Sequence, residues 1–336
     1  MTSVLSAYPR CMSEFDLIAR YFTRPARRAA LGVGDDCALL QPAPGMQLAI
    51  SSDMLVEGRH FFAGADPAAL GHKALAVNLS DLAACGATPL AFTLALALPH
   101  IDNAWLQGFS SGLWALAEQH GCELVGGDTT QGPLNICITV FGEVPRGQAL
   151  PRSGAQAGDD LYVSGTLGDA RLALDALLGK ISLPPDMLLQ TRLRLEQPTP
   201  RIALGIALRG LATSAIDISD GLAGDLGHIL KASGVGAQVN TAIALNLIAA
   251  CAHNDWAACQ FDAEKQLKIV LSGGDDYELA FTAPPAARAA MQAAAAASQT
   301  PVTRIGIIQS EPGLRLLDSS GRPVDAQFCS FDHFAV

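Results

Sequence analysis

The sequence predicts an α/β fold (α+β layers) made of two domains. The chain has 336 residues, about twice the length of an average domain. Short apolar segments typical of strands alternate with longer segments that have the period of a helix. A segment rich in Pro, Gly and Ser, residues 145–160, divides these segments into two groups. We therefore expect an N-terminal domain over 1–148 and a C-terminal domain over 149–336.

The N-terminal half has three helical patterns. The apolar spacing predicts helices over 13–22, 67–86 and 102–121. Ser13 is placed to cap the first helix, Gly86 to end the second, and Asp102 or Asn103 to cap the third. Apolar runs predict strands over 46–55, 89–99, 122–128 and 133–144. Strands and helices thus alternate, as in a layered fold.

The C-terminal half repeats a unit of strand, turn and helix. Residues 160–179 fit this unit with a glycine-rich turn, and residues 212–234 fit it with an acidic turn. Residues 267–284 predict two strands joined by a second acidic turn. An alanine-rich helix over 286–298 and a strand over 302–308 complete the predicted elements.

The composition excludes several classes of protein. The net charge is −10 and there is no basic run, which argues against a nucleic-acid partner. The most apolar stretch, residues 90–98, is much shorter than the roughly 18–20 residues of a membrane span. The first 15 residues lack the apolar core of a signal peptide, and the eight cysteines show no CxxC spacing. These features predict a reduced, cytoplasmic protein that does not act at a membrane.

Six acidic motifs lie at the ends of apolar segments. They are GDD (34–36), SSD (51–53), NLSD (78–81), GGDTT (126–130), DISDG (217–221) and GGDDYE (273–278). Aspartate is a favoured turn and cap residue, so a structural role is the better interpretation of any one motif alone. The whole chain has only five lysines, however, and Lys73 is one of the few that are close to a motif in sequence. Six motifs with so little positive charge nearby favour a shared function.

A bound cation would offset the repulsion if several motifs converge. Two carboxylates about 4 Å apart repel by on the order of 4 kcal/mol at an effective dielectric constant of about 20. Asp and Ser oxygens suit Mg²⁺, which commonly binds together with a nucleotide. The usual phosphate loop is absent, but the glycine-rich turns VGGDTT and SGTLGD could offer backbone N–H groups to phosphates. The residues therefore indicate phosphoryl transfer that depends on positioning and on metal-borne charge.

Taken in order, the motifs resemble those of the thiamine-monophosphate kinase family. The matching segments are GVGDDCALL, SSDMLVEGRHF, KALAVNLSDLAACGA, VGGDTT, RSGAQAGD, AIDISDGLAGDLGHI, SGGDDYELAF and the terminal FDHF. The resemblance implies ATP-dependent phosphorylation of thiamine monophosphate to thiamine diphosphate, the last step of thiamine diphosphate biosynthesis. A direct in-line transfer is the simplest route for this reaction. It also implies an aminoimidazole-ribonucleotide synthetase-like fold, with an N-terminal domain that forms a homodimer and a C-terminal α+β domain.

The resemblance further implies roles for single residues. Ligands of several Mg²⁺ ions would be Asp36, Ser51, Ser52, Asp53, Asp81, Asp128, Asp217 and Asp220. ATP would contact Gly127, Arg152 and Ser219, and thiamine monophosphate would contact His60, Asp275 and Phe331. Three of these depart from the family pattern. Threonine is frequent in place of Ser52, glutamate is usual in place of Asp275, and tyrosine can occur in place of Phe331.

Structural interpretations of the same residues stay open. Arg152 could be a solvated linker residue, His60 a core histidine beside two phenylalanines, and Phe331 a core aromatic. Lys73 fits phosphate binding and a solvated helix face equally well. Asp225, on the helix after DISDG, has a structural interpretation only. No general base is predicted, because the acceptor phosphate is already mostly a dianion at neutral pH.

Two other kinds of function compete with a thiamine-monophosphate kinase. The first is another enzyme of the same superfamily, such as selenophosphate synthetase, a hydrogenase maturation factor or the purine-pathway synthetase. Cys11 lacks the Lys and glycine-rich arm that the selenophosphate enzymes share. The second is a nucleotide-binding regulatory or scaffold protein without turnover. The intact set of aspartates argues against it, since loss of function should remove ligands first.

Overall fold

A computed structural model describes residues 13–324 and residue 328. The chain forms two compact units. Unit 1 consists of Met1–Gln41, Ser52–Ala74 and Leu90–Thr139, and unit 2 of Pro42–Ser51, Leu75–Pro89 and Val140–Val336. The domain boundary between residues 148 and 149 stays a prediction.

The first half of the chain contains three helices and two small sheets within the described residues. The helices are α1 (Glu14–Leu17), which a π-helical turn extends over Ile18–Phe22, α2 (Pro67–Ala84) and α3 (Asn103–His120). The strands are β1 (Ala29–Leu31), β2 (Leu39–Leu40), β3 (Met46–Val56), β4 (Thr88–Leu98), β5 (Glu123–Gln131) and β6 (Asn135–Pro145). β1 and β2 pair with each other, and the other four form a sheet in the order β3-β6-β4-β5.

The predicted helix ends of this half are confirmed. Ser13 caps α1 in a capping box with Asp16. The Asp102 carboxylate caps α3 and accepts the N–H groups of Ala104 at 2.8 Å and Trp105 at 3.2 Å. Gly86 follows α2 with a φ of 70°, which glycine adopts at little cost. Local side-chain chemistry therefore sets where these helices begin and end.

The second half is built around one six-stranded sheet. Its strands are β7 (Asp160–Ser164), β8 (Ser214–Ile218), β9 (Gly236–Asn240), β10 (Glu278–Ala283), β11 (Val302–Gln309) and β12 (Gly313–Leu317), in the order β12-β9-β11-β7-β10-β8. The helices are α4 (Asp169–Leu177), α5 (Pro185–Glu196), α6 (Ile202–Ala207), α7 (Leu222–Ser233), α8 (Thr241–Leu245), α9 (Ala263–Ser272) and α10 (Arg288–Ala297). Leu161, Ile216, Leu226 and Ile305 lie in the core of this half.

One predicted element is wrong. The first part of 267–284 is the C-terminal part of helix α9 rather than a strand. Asp262 caps this helix and accepts the N–H of Lys265 at 2.8 Å, and Leu267 and Leu271 face the core. The β-branched pair Ile269-Val270 favours a strand, and a window that starts at 267 leaves out the cap. Helices α5, α6 and α8 and strands β9 and β12 had no predicted counterpart.

The register of the six-stranded sheet brings two acidic motifs to the same end of that sheet. β8 and β10 are antiparallel neighbours, with Asp217 opposite Leu279 and Ile218 opposite Glu278. The DISDG motif leaves β8 at this point, and the GGDDYE motif enters β10 there.

Over the part of the chain that is described, no helix is both long enough and apolar enough to cross a bilayer.

Candidate active site

Three predicted site residues of unit 1 line one cavity of about 430 Å³: Asp36, Gly127 and Asp128. β4 and β5 are parallel, with Gly127 opposite Leu94. Gly127 has a φ of 146°, and a Cβ there would lie 1.9 Å from the Leu94 carbonyl oxygen. Only glycine permits this approach, so Gly127 places the next residue, Asp128, at the cavity wall. Asp35, for which no role was predicted, also lines this cavity.

The SSD motif lies on β3, where successive side chains alternate between the two faces of the sheet. The Ser52 hydroxyl donates to the Ile138 carbonyl at 3.2 Å and lies 2.9 Å from the Thr139 hydroxyl. His60 follows in a turn, where its Nδ1 accepts the N–H of Val56 at 3.0 Å. In the neutral form of His60 this bond places the proton on Nε2.

In unit 2 the predicted ligands Ser51 and Asp81 are in direct contact. The Ser51 hydroxyl donates to the Asp81 carboxylate at 2.5 Å. Burial raises the pKa of Asp81, while the bond from Ser51 and the positive charge of Arg152 lower this pKa. Arg152 therefore lies close enough to the NLSD motif for its positive charge to act on Asp81.

Ser80, which precedes Asp81 in the NLSD motif, contacts the DISDG motif. The Ser80 hydroxyl donates to the Asp217 carboxylate at 2.7 Å, and both side chains are buried. The sequence singled out Asp217 but not Ser80, because nothing local marks a serine as the partner of a carboxylate 137 residues away. Two of the acidic motifs of unit 2 are therefore adjacent in space.

The DISDG turn is held by an aspartate that had been given a structural role. The Asp225 carboxylate accepts the N–H groups of Ser219 at 3.1 Å, Asp220 at 3.0 Å and Gly221 at 3.1 Å. The pKa of Asp225 is raised to about 7, mainly by burial and also by the negative charge of Asp220, while the backbone bonds act in the opposite direction. This residue is part of the turn's framework.

The GGDDYE loop packs against the same turn through its backbone. The N–H of Asp275 donates to the Ser219 carbonyl, and the N–H of Tyr277 donates to the Ile218 carbonyl, both at 2.8 Å. Asp275 has a φ of 67° and Tyr277 a φ of 50°, in the left-handed region that side chains disfavour. Strained backbone of this kind concentrates at functional sites. The predicted substrate residue Asp275 and the predicted ATP residue Ser219 thus belong to adjoining segments.

The SGTLGD turn does not serve as a phosphate cradle in this structure. Its Gly165 and Leu167 N–H groups donate to backbone carbonyls, and the Gly168 N–H donates to both oxygens of the Asp276 carboxylate at 3.0 and 2.9 Å. Burial raises the pKa of Asp276 well above its ordinary value. Because internal acceptors already occupy these three donors, the expectation for this turn is wrong.

A buried ion cluster lies beside Asp276. The Glu278 side chain is fully buried and contacts the guanidinium groups of Arg194 and Arg201, with an Arg201 Nε–Oε2 distance of 2.7 Å. The Ser164 hydroxyl donates to the same carboxylate at 2.6 Å. Sequence reasoning missed this cluster because its two arginines lie 77 and 84 residues away in the chain.

The donor atoms of the predicted ligands suit a hard cation. Among residues 13–324 and 328, no set of three or more His, Cys, Asp or Glu side chains is placed to hold a metal ion. The predicted ligands all offer carboxylate or hydroxyl oxygen, the chemistry that Mg²⁺ prefers. Burial disfavours the ionised form of Asp81, and an added cation would favour it. The residues therefore fit Mg²⁺ chemically. Phe331 lies outside the described residues.

Comparisons with known proteins cover both halves of the chain. Residues 34–144 match the family described as AIR synthase related protein, N-terminal domain, and residues 156–319 match the corresponding C-terminal domain. A thiamine-monophosphate kinase from Salmonella typhimurium is 46% identical over 332 residues, which cover 96% of this chain and 98% of the relative.

Two solved structures agree with this. A thiamine-monophosphate kinase from Stenotrophomonas maltophilia is 43% identical with a TM-score of 0.79, covering 92% of this chain and 95% of that chain. AaThiL complexed with AMPPCP and TMP is 29% identical with a TM-score of 0.74, and the match covers 88% of this chain and 89% of that chain. The fold and nearly the full length therefore agree, and the chain belongs to the thiamine-monophosphate kinase family of AIR synthase related proteins.

Proposed function

We propose that the protein transfers the γ-phosphoryl group of ATP to the phosphate of thiamine monophosphate, giving thiamine diphosphate and ADP. The observation that carries this proposal is the 46% identity to a thiamine-monophosphate kinase over 96% of the chain. The AaThiL complex with AMPPCP and TMP, at 29% identity, supports the same pair of substrates.

The reaction needs no strong general base. The acceptor is a phosphate monoester whose second pKa is about 6, so it is mostly a dianion at neutral pH. The acidic motifs contain no His or Lys that would act as a base. The simplest route is a direct in-line transfer, in which the chain holds both substrates and aligns the acceptor oxygen with the γ-phosphorus.

The predicted ligands would hold several Mg²⁺ ions. These are Asp36, Ser51, Ser52, Asp53, Asp81, Asp128, Asp217 and Asp220. When bound, Mg²⁺ would neutralise the negative charge of the phosphates. The hydroxyls of Ser51 and Ser80 donate to two of the carboxylates, those of Asp81 and Asp217, and fix their orientation.

The remaining predicted residues bind the organic substrates in this proposal. Gly127, Arg152 and Ser219 contact ATP, with Arg152 supplying a positive charge near Asp81. His60, Asp275 and Phe331 contact thiamine monophosphate. The carboxylate of Asp275 would face the positive thiazolium ring, and the aromatic ring of Phe331 would stack on it.

We also propose that the protein is a cytoplasmic homodimer that associates through β3. This strand forms an edge of the four-stranded sheet. It presents three apolar residues to solvent: Leu48 is 41% exposed, Ile50 60% and Met54 52%. Alternating apolar side chains on an edge strand favour pairing with another chain. The six described cysteines are all free thiols, which supports a reducing compartment.

A turnover assay with a variant of the SSD motif tests the proposal. ADP and thiamine diphosphate are measured after incubation with ATP, thiamine monophosphate and MgCl₂. We expect both products from the wild-type protein, and loss of turnover in Asp53→Asn with an unchanged circular dichroism spectrum. Asp66→Asn is the control, because Asp66 lies in the same unit but outside the acidic motifs, and its carboxylate accepts the N–H of Ala69 at 2.8 Å.

The possible results separate the competing functions. Nucleotide binding without any product would favour a regulatory or scaffold protein. A related enzyme would be favoured if selenide or another acceptor of the superfamily stimulates ATP hydrolysis and thiamine monophosphate does not. A nearly active Asp53→Asn variant would remove Asp53 from the ligand set and leave the kinase assignment intact.

A further inference from the structure

Asp225 bonds to the turn that carries two of the predicted site residues. It lies in the first turn of α7 and is only 4% exposed. One of its oxygens, Oδ2, accepts three consecutive N–H groups, those of Ser219, Asp220 and Gly221. A carboxylate that collects successive N–H groups fixes their common direction, as in the backbone nests that bind anions.

The opposite side of the same turn is also fixed. The carbonyls of Ile218 and Ser219 accept the N–H groups of Tyr277 and Asp275. Gly221 packs closely against the end of α9, since a Cβ at this position would lie 2.9 Å from the backbone of Ser272. The N–H groups of the turn therefore point to Asp225, its carbonyls point to the 275–277 segment, and the half-buried side chains of Ser219 and Asp220 reach the surface.

We propose that Asp225 is a positioning residue for nucleotide binding. It holds the backbone of residues 219–221 in one arrangement, so that Ser219 and Asp220 are already oriented when the nucleotide arrives. This inference rests on the proposed function of the turn. Groups oriented before binding lose less freedom when the ligand binds, and small displacements of such groups weaken binding and catalysis strongly.

A second buried aspartate provides a matched control. Asp169 lies in the first turn of α4, is 3% exposed, and accepts the N–H groups of Ala250 at 3.0 Å and Ala249 at 3.2 Å. Burial raises the pKa of Asp169 as it raises that of Asp225. Asp169 touches no residue of the DISDG turn in these bonds. A purely structural role would therefore give similar results at the two positions.

The experiment compares Asp225→Asn, Asp225→Ala and Asp169→Asn with the wild-type protein. The dissociation constant of AMPPCP with MgCl₂ is measured by calorimetry, together with kcat, the KM values of ATP and thiamine monophosphate, and the Tm. We expect the AMPPCP dissociation constant and the KM of ATP to rise about 10- to 100-fold in Asp225→Ala. The rise is smaller in Asp225→Asn, which keeps one acceptor oxygen, and absent in Asp169→Asn.

Unchanged AMPPCP affinity in Asp225→Asn, with a Tm change like that of Asp169→Asn, would overturn the inference. If Asp225→Ala does not fold, Asp225→Asn decides the matter alone. Because AMPPCP binding is measured without turnover, the inference is separable from the proposed function. A wild-type protein that binds AMPPCP but never phosphorylates thiamine monophosphate would refute the proposed function, and weaker AMPPCP binding in Asp225→Asn would still support the inference.

Discussion

Glu278→Gln should destabilise the protein strongly. Glu278 is fully buried, and its carboxylate holds the guanidinium groups of Arg194 and Arg201, which are themselves 20% and 17% exposed. The amide of glutamine keeps the size of the side chain, but it removes the negative charge and turns an N–H₂ group toward two cations. The Ser164 hydroxyl, 2.6 Å from Oε2, also faces that change.

The magnitude follows from the burial of the two arginines. Removing one partner of a buried ion pair costs about 3–5 kcal/mol, because the remaining charge lacks both its partner and water. Here two guanidinium groups lose the partner that they share, and each is about four-fifths buried. We therefore expect the free energy of unfolding to fall by about 4 kcal/mol.

Urea denaturation at pH 7.5 measures this loss, and Glu196→Gln is the matched control. Glu196 pairs with Arg192 at 2.7 Å, but the two side chains are 31% and 43% exposed. A surface pair of this kind contributes about 1 kcal/mol or less. If Glu278→Gln costs no more than Glu196→Gln, water reaches the arginines and our account of the buried cluster is wrong.

Three further predictions concern pH, backbone packing and association. Because the pKa of Asp225 is about 7 when folded, the folded protein binds more protons than the unfolded chain between about pH 4 and 7, and stability falls as pH rises. Relative to the wild type, Asp225→Asn should gain about 4 kcal/mol from pH 4 to pH 8 in urea denaturation, whereas parallel pH curves would contradict this. Gly127→Ala places a Cβ 1.9 Å from a carbonyl oxygen of β4 and should cost about 3 kcal/mol in urea denaturation. Gly126→Ala, with its nearest atom at 3.8 Å, should cost far less, and equal losses would contradict the packing argument. If the protein forms the proposed dimer through β3, Ile50→Glu should shift it toward monomer in light scattering, whereas Leu189→Glu, at a position 64% exposed on α5, should not. A dimer that Ile50→Glu leaves intact associates through another surface.

Local signals made much of the fold predictable. Ser13 and Asp102 mark helix starts because their side chains bond to N–H groups two or three residues away, and Gly86 marks a helix end through its own φ. The same reasoning failed for α9, where the cap at Asp262 lies before the apolar run that suggested a strand. Elements with weaker local patterns, such as β12, depend on pairing with a distant strand.

The acidic residues of the candidate site were predictable from the sequence, but their hydrogen-bond partners were not. Aspartates beside Gly and Ser are visible in the sequence, so Asp81 and Asp217 could be named in advance. The hydroxyl of Ser80 that fixes Asp217 belongs to a helix 137 residues away. The bonds of Asp225 to the turn are short-range, and its spacing of four residues from Gly221 was the available signal. Long-range partners are decided by tertiary packing, which a single sequence does not display.

Transfer of the phosphoryl group itself tests the central claim most directly. The protein is mixed with ATP labelled at the γ-phosphate, thiamine monophosphate and MgCl₂, and the reaction is stopped within a single turnover. Our account predicts that the label appears in the terminal phosphate of thiamine diphosphate, with none attached to the protein. Label recovered only as inorganic phosphate would contradict the kinase assignment, and label on the protein would contradict direct transfer.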